Sequence, residues 1–313
     1  MRVFVAGASG AIGRPLLRRL IEAGHEVTGM TRREENAAAI REAGAEAVIC
    51  DALDAAALEA AVRRAEPEAV VHLLTALPPR LDYKADDPLG PTNRIRREGT
   101  RNLLAAATAA GARRMVAESF APLYAQEGGW VKSEEDGLFL GAPPPFGEAA
   151  AALAELERQV LEAVDVEGFV LRYAWLYGPG TYFDRNGSQT EEALRRRLPV
   201  VGKGDGTFSF VHVEDAASAT VAAVERGRPG IYNVSDDEPA PMREWVPAFA
   251  EAVGAKKPRR VPVWLVRLIA GAGAAAMAAR VRGASNAKAK AELGWRPRYP
   301  SWREGFRDPV ARG

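Results

Sequence analysis

The chain has 313 residues, 42 basic against 41 acidic side chains and 47% hydrophobic residues, enough for one large α/β domain or a nucleotide domain with a smaller one appended. This near-zero balance excludes recruitment to nucleic acid or to a membrane by overall charge, and the short runs Arg195–Arg197 and Lys256–Arg260 read as solvated helix ends. The single cysteine, Cys50, excludes an intrachain disulfide, and His25, His72 and His212 stand too far apart for ligand spacing, so no structural metal is expected.

Strand-like residues at Val3–Val5 lead directly into glycines, with no charged leader and apolar run before them, which points to a cytoplasmic protein. Helix-period and strand-length segments then alternate: Pro15–Ala23, Glu26–Met30, Ala37–Ala43, Val48–Cys50, Asp54–Arg64, Ala69–Leu74, Asn93–Ala110 and Arg113–Ala117. Regular β-α-β alternation predicts a parallel, doubly wound sheet, because parallel neighbours need a crossover. Gly24, Gly44 and Gly111 stand where helices end, and Asp54 where one is capped. The Gly/Pro-rich stretch Gly137–Gly147 predicts a loop over the site, ahead of an alanine-rich helix at Glu148–Ala163. Phe169–Ala174 reads as a further central strand. Domains are thus expected at 1–174 for the nucleotide unit and at 175–313 for a smaller, loop-rich lobe, with returns to the sheet near 208–234. The apolar segment Val261–Val281 is interrupted by Arg267 and Arg280, which leave an uncharged run too short to span a bilayer, and it predicts a packed helix.

The strand–turn–helix at the start carries Gly7-x-x-Gly10-x-x-Gly13, which lets backbone amides and a helix dipole approach a pyrophosphate. Gly7, Ala8, Ser9, Gly10, Ala11, Ile12 and Gly13 are therefore the expected phosphate cradle. The glycine spacing resembles the short-chain dehydrogenase/reductase superfamily. Gly99–Leu104, Leu171–Pro179, Phe210–Asp215, Tyr232–Val234 and Leu293–Pro297 resemble its extended branch, the NAD-dependent epimerase/dehydratase type, over nearly the whole chain. The resemblance implies that Asp51 and Ala52 meet the adenine, that Leu73, Leu74, Thr75 and Tyr173 line the cofactor, and that the protein forms a homodimer through the helices near 93–110 and 148–163. The second strand ends in Thr31, Arg32 and Arg33 with no acid, so a guanidinium there favours the 2′-phosphate of NADP(H) over NAD(H).

The resembled family uses a Tyr-x-x-x-Lys pair and a hydroxyl residue for proton work. Here Phe146 and Ala150 stand at the pair's positions, and Phe120 at the hydroxyl position, with Ser119 one residue earlier and turned to the opposite strand face. Arg96 stands where the family has Asn, and Trp175 where it has another Asn. The remaining candidates for the chemistry are Ser119, Tyr124, His212, Tyr177 and Arg96, with Glu118 as a further acid and Arg172 as a tie between sheet and lobe. The proton is expected from Tyr124 and Ser119 before His212, Tyr177 or a water. The predicted function is an atypical NADP(H)-dependent oxidoreductase transferring hydride to or from a small, partly apolar carbonyl or alcohol substrate. An epimerase or isomerase with retained nucleotide and a non-catalytic dinucleotide sensor are the alternatives. Thr207–Phe210 lacks the arginine with which the resembled family holds a diphosphate, so no nucleotide diphosphate sugar is expected as substrate.

Overall fold

The computed structural model describes residues 1–82 and 85–308; the last five residues of the expected 175–313 lobe lie outside them. Seven strands, β1 (Arg2–Ala6), β2 (Glu26–Thr31), β3 (Glu46–Ile49), β4 (Ala69–His72), β5 (Arg114–Phe120), β6 (Glu167–Tyr173) and β7 (Gly230–Val234), form one parallel sheet. Their order is β7-β6-β5-β4-β1-β2-β3, which reverses direction between β1 and β4 and opens a crevice at the carboxyl ends of those strands. The helices are α1 (Gly13–Glu22), α2 (Ala37–Glu42), α3 (Ala55–Ala65), α4 (Thr100–Ala109), α5 (Phe146–Leu161) and α6 (Val213–Glu225). A short helix, Gly90–Arg94, and a π-helical turn, Ile95–Gly99, run into α4.

Strand alternation sends side chains to two cores. Val3, Val5, Val71, Val116 and Leu171 pack under α1 and α6, against Leu16, Leu20, Ala216 and Ala223. Phe4, Val70, Met115 and Val170 pack on the other face under α3, α4 and α5, against Leu58, Leu103, Leu156 and Val160. Helix stops fall where glycine was expected to place them: Gly24, Gly44 and Gly111 have φ of +81°, +90° and +74°. The Asp54 carboxylate accepts from Ala57 N at 3.0 Å and caps α3.

Beyond β6 the chain builds the lobe around an aromatic core in which Phe183, Phe208, Phe210, Trp245, Phe249, Trp302 and Phe306 bury against one another. Ring centroids lie 4.9 Å apart for Phe208 and Trp245 and 5.0 Å for Phe249 and Phe306. Two excursions return to the sheet, through α6 with β7 and through Ala289, Leu293 and Trp295, which join the core under α1 and α6. The segment Val261–Val281 departs from the packed helix expected for it. The helix spans Val263–Arg280 but is broken at Gly271, where φ is +90° and ψ is 168°. Its first half leaves Trp264 66% and Leu268 76% exposed. Of the first half Val266 packs partly against the aromatic core, while the second half is closely seated: a Cβ on Gly273 would lie 2.3 Å from the Pro144 carbonyl oxygen. Composition of this kind serves a buried and an exposed helix equally, and packing decides between them.

A buried ion pair locks α5 to the sheet. Arg172 on β6 donates through Nε to Glu157 Oε1 at 2.8 Å and through Nη2 to Oε2 at 2.6 Å, with both side chains under 8% exposed. Nη1 of the same guanidinium donates to the Asp136 carbonyl at 3.1 Å, so Arg172 ties the sheet to α5 and the loop ahead of it, where a tie to the 175–313 lobe was expected. Arg172→Met strands the Glu157 carboxylate in the core and should cost about 3–5 kcal/mol, while Arg172→Met combined with Glu157→Leu should recover most of that loss. Urea denaturation of the two variants tests this; equal losses would deny the pair its role.

Candidate functional site

Sterics dictate the glycine turn at the end of β1. Gly7 holds φ at +96°, and a Cβ there would come 2.6 Å from the Leu73 carbonyl oxygen. A Cβ on Gly13 would come 2.3 Å from the Gly7 oxygen, so α1 cannot start this close to β1 with any side chain at that position. Gly10, by contrast, is exposed, and its added Cβ would meet only the Gly7 oxygen, at 3.3 Å. The bare turn therefore faces outward at Gly10 with Ser9 and Ala11 half-buried beside it, which is the room a pyrophosphate needs at a helix N-terminus. Gly180, in the loop after β6, approaches Ala11 to 3.6 Å from its would-be Cβ and borders the turn. Ala8 and Ile12 are buried and set the turn on the core. The cradle fits a dinucleotide.

At the far end of this crevice Thr31 is buried, with its hydroxyl 3.4 Å from Ser9 Oγ and accepting from Arg33 N at 3.3 Å. Arg33 reaches Glu35 at 3.5 Å with both side chains 71% exposed, a weak contact, and Arg32 makes no ion pair with a described residue. Asp51 is exposed and holds its own turn by accepting from Leu53 N at 2.9 Å; the Ala52 carbonyl accepts from Asn102 at 2.9 Å. Past β4, Leu73 is buried while Leu74 and Thr75 are half-buried along the crevice floor.

Two of the expected proton donors, Ser119 and Tyr124, are hydrogen-bonded within the core. Ser119 is 1% exposed, and its hydroxyl donates to Glu157 Oε1 at 2.6 Å, on the α5 side where strand alternation sends it. Tyr124 is equally buried, under the Arg172 guanidinium at 4.9 Å, and its hydroxyl donates to Asn233 Oδ1 at 2.7 Å. Burial pushes the Tyr124 phenol up to about 12, with Arg172 opposing, so it holds its proton more tightly than a free phenol. Both hydroxyls thus belong to the hydrogen-bonded surroundings of Arg172. His212 accepts from Glu214 N through Nδ1 at 3.2 Å, capping α6, and packs between Tyr177 and Tyr299. Tyr177 lies fully buried against Phe306, with its phenol pKa raised by burial. Tyr173, expected at the cofactor, shares a 2.6 Å hydrogen bond with Thr220 inside the core.

Charge is left unspent at the carboxyl ends of β4 and β5. Arg96, on the π-helical turn, is 8% exposed, and its hydrogen bond among the described residues is a long one, 3.4 Å to Asn93 Oδ1. Glu118 on β5 has no hydrogen-bond or ion-pair partner among the described residues, and the two side chains influence each other from beyond ion-pair distance. Burial raises the Glu118 carboxyl to about 7, with Arg96 pulling it down, and lowers Arg96 to about 10. His72, below them, is held neutral: burial first and Arg96 second lower it to about 4, and it accepts from Leu74 N while its Nε2 meets Thr100 Oγ1 at 2.9 Å. Phe120 and Trp175, edge to face at 5.2 Å, wall the neighbouring space, and Phe146 with Ala150 present buried apolar surface at the start of α5. The sequence reading missed Glu157. Its signal was available, because Phe146, Ala149, Ala150, Leu153, Glu157 and Val160 form one helical stripe in which the only charge is Glu157.

The model of the family described as NAD dependent epimerase/dehydratase matches residues 3–235. A 3-diazoavenalumate denitrifying reductase of a Streptomyces species is 45% identical over 98% of this chain and 99% of its own. A 2-alkyl-3-oxoalkanoate reductase of Stenotrophomonas maltophilia is 31% identical over 82% of this chain and 77% of its own. Among solved structures, the UDP-glucose 4-epimerase of Thermus thermophilus in complex with NAD is 26% identical, with a TM-score of 0.73 over 99% of this chain and 98% of that one. With a family match across most of its length and full-length similarity to a reductase, the chain belongs to the NAD-dependent epimerase/dehydratase family.

Proposed function

We propose that this enzyme is a reductase that binds NADP(H) along the β1 crevice and reduces a small, partly apolar electrophile at the Glu118 end of the sheet. The Gly7–Gly13 turn would hold the pyrophosphate, Asp51 and Ala52 the adenine, and Arg32 or Arg33 the 2′-phosphate. Bound there, the nicotinamide supplies a hydride. The observation that carries the reading is that Glu118 and Arg96 stand at one sheet end with no ion-pair partner among the described residues, while the Ser119 and Tyr124 hydroxyls are hydrogen-bonded within the core. A carboxyl raised to about 7 can hold a proton at neutral pH and release it to substrate, and a desolvated guanidinium can orient an anionic or oxygen acceptor. Phe120, Trp175 and Phe146 would keep water out.

The relative 45% identical to this chain is named for removing nitrogen from a diazo compound, a chemistry that suits a site without a phenol and lysine. Such a reduction takes up one hydride and one proton and expels dinitrogen; it forms no alkoxide, so a single carboxylic acid suffices. We therefore place diazo compounds beside ketones among the substrates to assay. The reading also keeps nucleotide sugars out, since Thr207 and Ser209 stand buried where an arginine would grip a diphosphate.

Two measurements test this reading. NADPH should bind more tightly than NADH, and Arg32→Ala together with Arg33→Ala should cost NADPH about 1.5–3 kcal/mol per lost charged contact while leaving NADH unchanged; equal wild-type affinities by calorimetry would end the argument. With turnover followed at the nicotinamide absorbance, kcat should fall as pH rises through about 7, because the acid form of Glu118 is the active one. Glu118→Gln should lower kcat by about 10²-fold or more, without weakening nucleotide binding. Undiminished turnover in Glu118→Gln would exclude it as the proton source.

A further inference from the structure

One corner of the lobe departs from the even charge of the rest of the chain. From Ala252 to Ala291 the sequence contains nine Lys and Arg residues and neither Asp nor Glu. Lys256, Lys257, Arg259 and Arg260 are all exposed, and none forms an ion pair with a described residue. Immediately after them, the first half of the broken helix exposes Val263 by 40%, Trp264 by 66%, Leu268 by 76% and Ile269 by 55%. Trp264 and Leu268 lie one turn apart on one face, with exposed Arg267 beside them. Arg196 donates to the Lys257 carbonyl at 3.1 Å, and Arg260 pairs in register with Val200, so Arg196 and the 53%-exposed Leu194 belong to the same corner.

We propose that this corner, from Lys256 to Ile269, docks on an anionic lipid surface. Large apolar side chains clustered in water are costly, and a tryptophan beside unpaired cations is the combination that settles at a membrane interface, rings among the acyl chains and cations at the phosphates. Charge decides between occupants. A second copy meeting this patch through a two-fold axis would set basic rim against basic rim, whereas a phosphate surface complements it. The helix does not span. Its exposed half, from Val263 to the break at Gly271, is about 12 Å long against a hydrocarbon core of about 30 Å, and the second half is seated on the protein's own Pro144 carbonyl. The protein would therefore lie on the surface.

The experiment is sedimentation of the full chain with phosphatidylcholine vesicles and with mixed phosphatidylcholine/phosphatidylglycerol vesicles, at low and high salt. Binding should need the anionic lipid and be lost at high salt. Lys256→Glu with Lys257→Glu should weaken it about tenfold or more, as should Trp264→Ser with Leu268→Ser. These side chains are exposed, so thermal unfolding and nucleotide binding should stay as in the unaltered chain. Equal binding to neutral and anionic vesicles, or no binding to either, would overturn the proposal. So would a dimer by light scattering that Trp264→Ser with Leu268→Ser dissolves, which would assign the corner to a second copy.

Discussion

The Glu157–Arg172 pair is the interaction on which the rest of this molecule depends. Burial alone disfavours the Arg172 cation, yet the carboxylate beside it more than reverses that, and the guanidinium is held more firmly charged than in water. Two parallel hydrogen bonds satisfy one side of the fork, the Asp136 carbonyl takes another donor, and the Tyr124 ring covers the face. A charge pair removed from water repays its desolvation only when its remaining donors and acceptors are met. Here Ser119 gives Oε1 of the carboxylate a second hydrogen bond beside the one from Arg172 Nε. The arrangement fixes the angle of α5 on the sheet, and with it the position of Phe146 at the crevice.

That solution has a chemical consequence. Ser119 and Tyr124, hydroxyls near the positions where the wider family keeps its proton relay, are bonded to Glu157 and Asn233 instead. The sheet then presents its other polar resource, Glu118 and Arg96, on neighbouring elements and without close partners. If the proposed reduction runs at Glu118, two charge sets at one sheet end divide the labour: the closely hydrogen-bonded pair holds structure, and the looser set keeps interaction energy for a ligand. The neutral His72 beneath Arg96 adds no third charge to the set.

The parts legible in the sequence were those governed by backbone geometry. Gly7 and Gly13 are required by close approach, Gly24, Gly44 and Gly111 by left-handed helix stops, and the alternation of strand and helix by hydrogen-bonding rules; each leaves a local trace. Strand periodicity also gave the correct face for Ser119. What escaped was side-chain partnership between distant segments. Tyr124 and Asn233 are separated by 109 residues, and no local pattern says that one hydroxyl will be claimed by the other. His212 stood among the candidates for the chemistry, and its role as the acceptor for the Glu214 amide at the start of α6 was not foreseen. The helix Val263–Arg280 failed for a different reason: its composition specifies apolar character but not which surface covers it.

The break at Gly271 divides that helix into two mechanical parts. Gly273 allows the second half to rest against the carbonyl oxygens of Pro143 and Pro144 and the ring of Phe146, with no space for a side chain between them. A rigid helix would carry any push on its exposed end straight to that contact, like a rod against a stop. With a left-handed glycine in between, the helix is not continuous: its direction changes at Gly271, two residues before the Gly273 contact. The outer half therefore answers to its own neighbours, Val266 on the aromatic core and Trp264 in water, and the inner half to Phe146.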